Sequence, residues 1–199
     1  MNNNKIIVFV KNAVPGKVKT RLAKTIGDKE ALEVYLRLLG ITKKEVLKVD
    51  AKKEVWYAWE IGKDDIWEEN NFAKKTQTEG DLGEKMKHAF NQSFKSGSDR
   101  IVLIGSDCPT LTSKIMEEAF DMLNDNDVVF GPSEDGGYYL IGMSSFMPEV
   151  LEGIDWSTEK VMEQTEQQAR ENNISLAKLE PLNDIDNEED WQTYLASLN

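Results

Sequence analysis

The sequence predicts an α/β fold of three layers, α/β/α, with helices on both faces of a mostly parallel central sheet. Three observations carry this. Residues 6–10 and 101–104 are unbroken β-rich apolar runs, which fit strands covered on both faces. Stretches of strand character alternate with helical stretches along the whole chain. No repeat, low-complexity tract or Pro/Ser-rich linker divides the 199 residues, a length that suits one domain with a full core.

In order, residues 6–10 make the first strand. A helix over 29–49 follows, with Leu32, Leu36, Leu39, Val46 and Leu47 at helical spacing and Asp28 as its N-cap. Residues 54–59 read as a second strand, with Trp56, Tyr57 and Trp59 packing in the core and on the sheet face, and 73–78 as a short third. A helix over 82–94 leads to the strand 101–104. Thr112 or Ser113 then caps a helix that runs to 123. Residues 127–130 and 138–142 are strands, 158–172 a polar helix entered through Ser157 or Thr158, 175–179 a last strand and 188–198 a closing helix. In sheets of this kind ligands bind beyond the carboxyl ends of the strands, so the loops there are where chemistry is expected.

Composition narrows the function. With 36 Asp and Glu against 24 Lys and Arg, the net charge is −12, which disfavours general binding to nucleic acid or anionic membranes. The one cysteine, Cys108, excludes an internal disulfide and a cysteine-rich zinc site, and reads as a small buried filler. No apolar run is long enough to cross a bilayer and no signal peptide is visible, so a cytoplasmic location is expected.

Against this acidic background the first 27 residues hold Lys5, Lys11, Lys17, Lys19, Arg21 and Lys24 and no acid. Pro15-Gly16 makes a turn there, and Lys11, Lys19 and Arg21 offer donors suited to phosphate oxygens. The alternative is a solvated basic loop. It is not a Walker A loop, because Val18 follows Lys17 where Ser or Thr is needed. Asp107 stands just past the end of the strand 101–104, where a carboxylate is costly unless it pairs, caps a helix or binds a cation such as Mg²⁺ or Mn²⁺. Asp135, Gly136 and Gly137 lie between two strands, either as a tight turn or as a close approach to a sugar. Asp184 and Asp186 share one side of an extended segment, and Asp186 or Asn187 also suits a helix cap. Gly80, Leu82 and Gly83 open a helix whose amides could meet a nucleotide. Trp156 covers an acceptor pocket or belongs to the core. His88, in mid-helix among polar residues, is assigned no role.

Six segments occur in order: Lys11-Asn12 with Pro15-Gly16 and Lys19-Thr20-Arg21-Leu22; residues 80–86; Ile104 to Pro109; Gly131-Pro132 with Asp135 to Gly142; Trp156 to Glu159; and Asp184-Ile185-Asp186 with Glu189-Asp190. With these the chain resembles, over about residues 5–194, the bacterial glycosyltransferase-like family (radical-SAM/selenodomain-associated transferase 1) of the nucleotide-diphospho-sugar transferase superfamily. The resemblance implies a GT-A-like fold in one domain over 1–199, and a metal-dependent transferase. It puts Lys11, Gly16, Lys19 and Arg21 at nucleotide phosphates, with Gly80, Leu82 and Gly83 also at the nucleotide. Asp107 becomes the metal aspartate, joined by Asp184 or, preferably, Asp186. Asp135, Gly136, Gly137, Tyr138 and Trp156 face the sugar or acceptor. Relatives include phospholactate guanylyltransferase and the molybdenum-cofactor nucleotidyltransferases. Sugar-nucleotide enzymes of this fold usually carry Asp-x-Asp, whereas here Asp107 stands alone before Cys108-Pro109, as in the nucleotidyltransferases.

Two chemistries follow from the resemblance. In glycosyl transfer, the first expectation, a nucleoside diphosphate leaves a nucleotide sugar against the metal, Lys19 and Arg21, while Asp135 orients or deprotonates a small-molecule acceptor. In the alternative, nucleotidyl transfer from a nucleoside triphosphate to a phosphorylated small molecule, pyrophosphate leaves against the same basic loop. A third possibility is a nucleotide-binding protein without turnover.

Overall fold

The computed structural model describes residues 3–198. Its elements run β1 (Asn4–Val10), α1 (Thr20–Ile26), α2 (Asp28–Val46), β2 (Lys52–Tyr57), β3 (Ala73–Thr76), α3 (Leu82–Lys95), β4 (Arg100–Ile104), α4 (Ser113–Met122), β5 (Val128–Pro132), β6 (Tyr138–Met143), a 3-10 turn (Pro148–Leu151), α5 (Val161–Glu171), β7 (Leu176–Lys178) and α6 (Glu188–Ser197). The seven strands form one sheet in the order β3-β2-β1-β4-β6-β5-β7. All pairings are parallel except those of β6 with β4 and β5. The exception has a local cause. Gly136 takes φ 86° in the five residues between β5 and β6, so the chain reverses in a hairpin there instead of crossing over.

β1 shows why its run of apolar residues reads as a doubly covered strand. Ile6, Val8 and Val10 pack on one face with Tyr35 and Leu39 of α2 and Met116 of α4. Ile7 and Phe9 pack on the other with Met86, Phe90 of α3 and Met162 of α5. A third, smaller cluster of Leu22, Leu38, Ile185 and Trp191 clamps α1 and α2 to the C-terminal segment. The chain direction switches between β1 and β4: β2 and β3 extend to one side of the pair, β6, β5 and β7 to the other. That point is the natural ligand crevice of an open α/β sheet.

Several expectations change in detail. α1 is an element the sequence pattern does not announce: it has seven residues and, within it, only Leu22 is buried, too little apolar periodicity to mark a helix. Asp28 is the first residue of α2, not its cap; Gly27, at φ 88°, precedes it. The buried stripe of α2 passes through Val34, Tyr35, Leu38 and Leu39, leaving Leu36 and Leu47 exposed. Strand β2 ends at Tyr57, so Trp59 lies beyond it at 53% exposure instead of in the core. α5 starts at Val161 with Lys160 in the cap position and no side-chain cap; the Thr158 hydroxyl donates to the Asp155 carbonyl and accepts from the Lys160 amide. Thr112, by contrast, caps α4 through the Ile115 amide as expected. His88 is half-buried, its ring edge-on to Trp56.

One buried ion pair lies under the sheet's far side. Lys5 Nζ is 2.7 Å from Glu54 Oε1 and donates to Ser96 Oγ, while Trp56 Nε1 donates to Glu54 Oε2. Burial raises the Glu54 carboxyl, but the hydrogen bond and charge of Lys5 outweigh it and hold it below its ordinary value. Removing one partner strands a charge away from water. Glu54→Ala is therefore expected to cost about 3 kcal/mol in urea unfolding at pH 7, and a loss within experimental error would mean that Lys5 regains water in the variant.

Candidate active site

The loop after β1 carries the basic cluster into the crevice. Its turn is fixed by Gly16 at φ 71°. Lys19 then takes a left-handed φ of 47° as the residue before α1, a conformation costing about 1 kcal/mol for a side-chain-bearing residue. The contortion turns its side chain inward. Lys19 Nζ lies 2.6 Å from Asp107 Oδ1 and donates to the Ile185 carbonyl at 2.6 Å, with the side chain only 5% exposed. The Ile185 amide in turn donates to the Asp107 carbonyl. Three segments distant in sequence are thus laced together: the first loop, the end of β4 and the segment after β7.

This lacing sorts the acids. Ile185 is buried against Leu22 and Trp191, so Asp184 and Asp186 project on the opposite side of the extended segment. Asp186 Oδ2 accepts from Arg21 Nη1 at 2.8 Å. Asp184 is partly buried. Burial first, then the negative charge of Asp107, push its carboxyl up to about 7 against the pull of Lys19. Asp107 keeps its side chain 43% exposed despite the Lys19 pair, and Oδ1 receives no well-aligned hydrogen bond. The ion pair therefore leaves the cleft side of Asp107 open to a ligand.

Two adjoining cavities meet at these groups. The larger, about 550 Å³, is bounded by Lys11, Lys19 and Arg21 on one wall and by residues of 133–161 on the other. The smaller, about 360 Å³, runs under the ends of β1, β2 and β4, with Phe9, Val10, Ala58 and Gln77 in its wall. Lys11, Tyr35, Leu82, Asp107, Tyr138 and Asp184 border both.

In the hairpin, Asp135 Oδ1 accepts from the Ser133 hydroxyl and from the Gly137 amide, which holds the carboxylate at the cavity edge. A Cβ at Gly136 would sit 2.1 Å from the Glu159 carbonyl oxygen, so this glycine is required for the hairpin to pack on the 156–160 segment. Ser157 there has φ 66°. Lys19 and Ser157 are two of four non-glycine residues with left-handed φ among the described residues, and both line the larger cavity. Strain of this kind concentrates at functional sites.

Of the residues singled out from the sequence, the structure brings Lys11, Lys19, Arg21, Leu82, Asp107, Asp135, Gly137, Tyr138, Trp156 and Asp186 to the larger cavity. Gly16, Gly80, Gly83 and Gly136 do not border either cavity. They shape the backbone behind it. Gly83, for example, lets the Trp156 indole lie on the start of α3, where a Cβ would come within 2.7 Å of Nε1. Asp184 feels the charge of Asp107, while Asp186 pairs with Arg21 at the rim. Tyr35 was missed. Its hydroxyl accepts from the Lys11 amide and donates to the Lys11 carbonyl, and burial pushes the phenol up to about 12. In sequence it sits in the apolar stripe of α2 and looks like core. Cys108 is buried as expected, which pushes its thiol up to about 11.

Comparison with known proteins places this geometry. The model of a family described as "Uncharacterized protein conserved in bacteria (DUF2064)" matches residues 41–158. A solved structure from Desulfovibrio desulfuricans G20, assigned to the nucleotide-diphospho-sugar transferases, is 33% identical, with TM-score 0.91 over 99% of this chain and 88% of that one. The 2-phospho-L-lactate guanylyltransferase of Methanocaldococcus vulcanius is 25% identical over 144 residues, 70% of this chain. The chain spans 62% of that relative's length. The inositol-1-phosphate CTP transferase of T. maritima, 13% identical, shares the fold with TM-score 0.61, covering 100% of this chain and 95% of that one. These matches bear out the superfamily resemblance and the α/β fold. Among the described residues no helix is long and apolar enough to cross a membrane.

The raised carboxyl of Asp184 has a stability consequence. An unfolded chain loses this proton near pH 4, the folded one near 7, so folding stability falls as pH rises through that window and the loss is complete above it. In chelator-containing buffer, Asp184→Asn is expected to be up to about 4 kcal/mol more stable than the parent at pH 8 and equal to it near pH 4, by urea midpoints. An equal difference at both pH values would mean that the carboxyl titrates normally.

Proposed function

The chain belongs to the DUF2064 family of bacterial proteins, and we propose that within it this protein is a nucleotidyltransferase, moving a nucleoside monophosphate from a nucleoside triphosphate to a small acceptor. The observation that carries the reading is that Asp107, from the end of β4, and Asp184, from beyond β7, border one cavity with Lys11, Lys19 and Arg21. A cavity that mixes carboxylates and cationic donors in this way suits a hard cation together with the phosphates that share it. The guanylyltransferase relative supports the same chemistry.

The residues fit a divalent cation. Among the described residues no three acidic, Cys or His groups form a closed metal cage. Two carboxylates with open positions suit Mg²⁺ or Mn²⁺ whose shell is completed by phosphate oxygens. Asp107 and Asp184 would hold it, and when bound it would supply positive charge against the charge building on the leaving phosphates. The nucleoside enters the smaller cavity, and the phosphates lie along Lys11 and Arg21. Lys19 fixes the angle of Asp107. Arg21, 71% exposed, exchanges Asp186 for a phosphate at small cost, because an exposed pair is weak. The acceptor oxygen then bonds to the α-phosphorus, the bond to the β-phosphate oxygen breaks, pyrophosphate departs past Arg21, and Asp135 takes a hydroxyl proton where the acceptor carries one.

Glycosyl transfer from a nucleotide sugar is the second reading. It is favoured by the assignment of the Desulfovibrio relative and by Trp156 at the cavity wall, an aromatic surface of the kind sugars pack on. The products separate the two: pyrophosphate for the first, a nucleoside diphosphate for the second. Asp107→Asn keeps an oxygen for Lys19, so the fold should survive, while metal-dependent turnover falls by about 100-fold or more. Parental turnover in a folded Asp107→Asn protein, or the same turnover in excess chelator, would overturn the proposal.

A further inference from the structure

We infer that the donor nucleotide carries a lactam base, guanine or uracil, whose ring N–H is read by Gln77 and whose adjacent carbonyl is met by Lys85. The inference rests on the nucleotide reading above and names the base. It applies to a nucleoside triphosphate and to a nucleotide sugar alike, since either brings a base to the smaller cavity. Gln77 and Lys85 both border that cavity. Gln77 extends the pairing of β3 with β2 by one residue, its backbone amide donating to the Tyr57 carbonyl. Lys85 follows Leu82 by three residues on α3, so the two share a helix face.

The Gln77 side-chain amide is oriented by its partners. Nε2 donates to the Trp56 carbonyl at 2.9 Å and to the Val10 carbonyl at 3.4 Å. Carbonyl oxygens only accept, so the nitrogen has to face them and Oε1 the other way. Oε1 meets no donor among the described residues and stays within reach of solvent. The Lys85 ammonium, on a half-buried side chain, likewise has no acceptor among the described residues. Neighbouring polar groups are spent. The Tyr35 hydroxyl closes on Lys11, that of Tyr139 donates to the Glu180 carbonyl, and that of Tyr138 turns to Met86. The Ala58 and Gly105 amides donate to the Val10 and Tyr139 carbonyls. Lys11, Asp107 and Asp184 also border the larger cavity, toward the phosphates and the cation.

A base in the smaller cavity thus meets one fixed acceptor and one ammonium. A lactam presents the complement, an N–H for Oε1 beside a carbonyl oxygen for the ammonium. Adenine and cytosine carry an unprotonated ring nitrogen at that place, which would face Oε1 lone pair to lone pair. Glutamine reads adenine by offering its oxygen and its NH₂ group together, and here the NH₂ group is held by the backbone. Phe9 and the exposed Leu82 supply apolar surface for the faces of the ring.

The test titrates GTP, UTP, ATP and CTP calorimetrically into the full chain with Mg²⁺ and no acceptor. GTP and UTP are expected to bind at least about tenfold tighter than ATP and CTP. Gln77→Met keeps the length of the side chain without its acceptor, and should cut that preference at least about threefold. Lys85→Glu sets an acceptor where the base carbonyl would lie, and should turn the order toward ATP and CTP. A merely structural role of either residue, or a contact of Lys85 with phosphate, would weaken all four alike. Tighter or equal binding of ATP or CTP to the parent overturns the inference, as does an unchanged preference in Gln77→Met or in Lys85→Glu. Each of those outcomes leaves the nucleotide reading standing, whereas no binding of any triphosphate overturns both.

Discussion

A lysine ammonium removed from water has to be met by acceptors, and the way Lys19 is met organises this protein. Its partners are the Asp107 carboxylate and the Ile185 carbonyl, supplied by chain segments nearly eighty residues apart. An unpaired ammonium at that depth would cost several kcal/mol, so the two segments are held in register as firmly as a strand pairing would hold them. The return bond, from the Ile185 amide to the Asp107 carbonyl, closes the link. A strained backbone at Lys19 is tolerated because this arrangement over-determines it.

From that link the polarity of the cleft follows. With Ile185 pinned into the cluster of Leu22 and Trp191, the alternation of an extended chain has to turn Asp184 and Asp186 the other way. One meets Arg21 at the rim. The other, deeper, feels Asp107 and is pushed toward the neutral form. Two carboxylates this close resist full ionisation together, a tension that positive charge relieves. The same acids that destabilise the empty cleft thus make it receptive, the usual exchange of stability for function at an active site.

The fold was legible because β1 and β4 are apolar on both faces, a pattern that few structures other than a covered sheet explain. Segregated charge at the first loop and an aspartate just past a buried strand also pointed to the residues that line the cavity. What sequence could not give was partnership. Lys19 and Arg21 read as equivalent phosphate donors, yet one is buried against Asp107 and the other is on the rim, a difference set by the turn at residue 19 and by Ile185, 166 positions away. Asp184 and Asp186 differ for the same reason. Tyr35 looks like any stripe residue until its hydroxyl is seen closing on the backbone of Lys11. Local pattern carries periodicity and breaks in it; it does not carry which side chain is across the crevice.

The hairpin between β5 and β6 shows how a structural and a functional demand come to fall on one residue. An Asp-Gly turn alone would reverse the chain. Here Gly136 also lies so close to the Glu159 carbonyl that no side chain fits, and its own carbonyl receives the first turn of α5. The close approach draws the 156–160 segment against the cavity, with Trp156 over Gly83, and ties the Met162 amide of α5 to the hairpin. The two readings of this loop from sequence, a tight turn or a ligand wall, are therefore not alternatives. The tightness of the turn is what builds this side of the cavity.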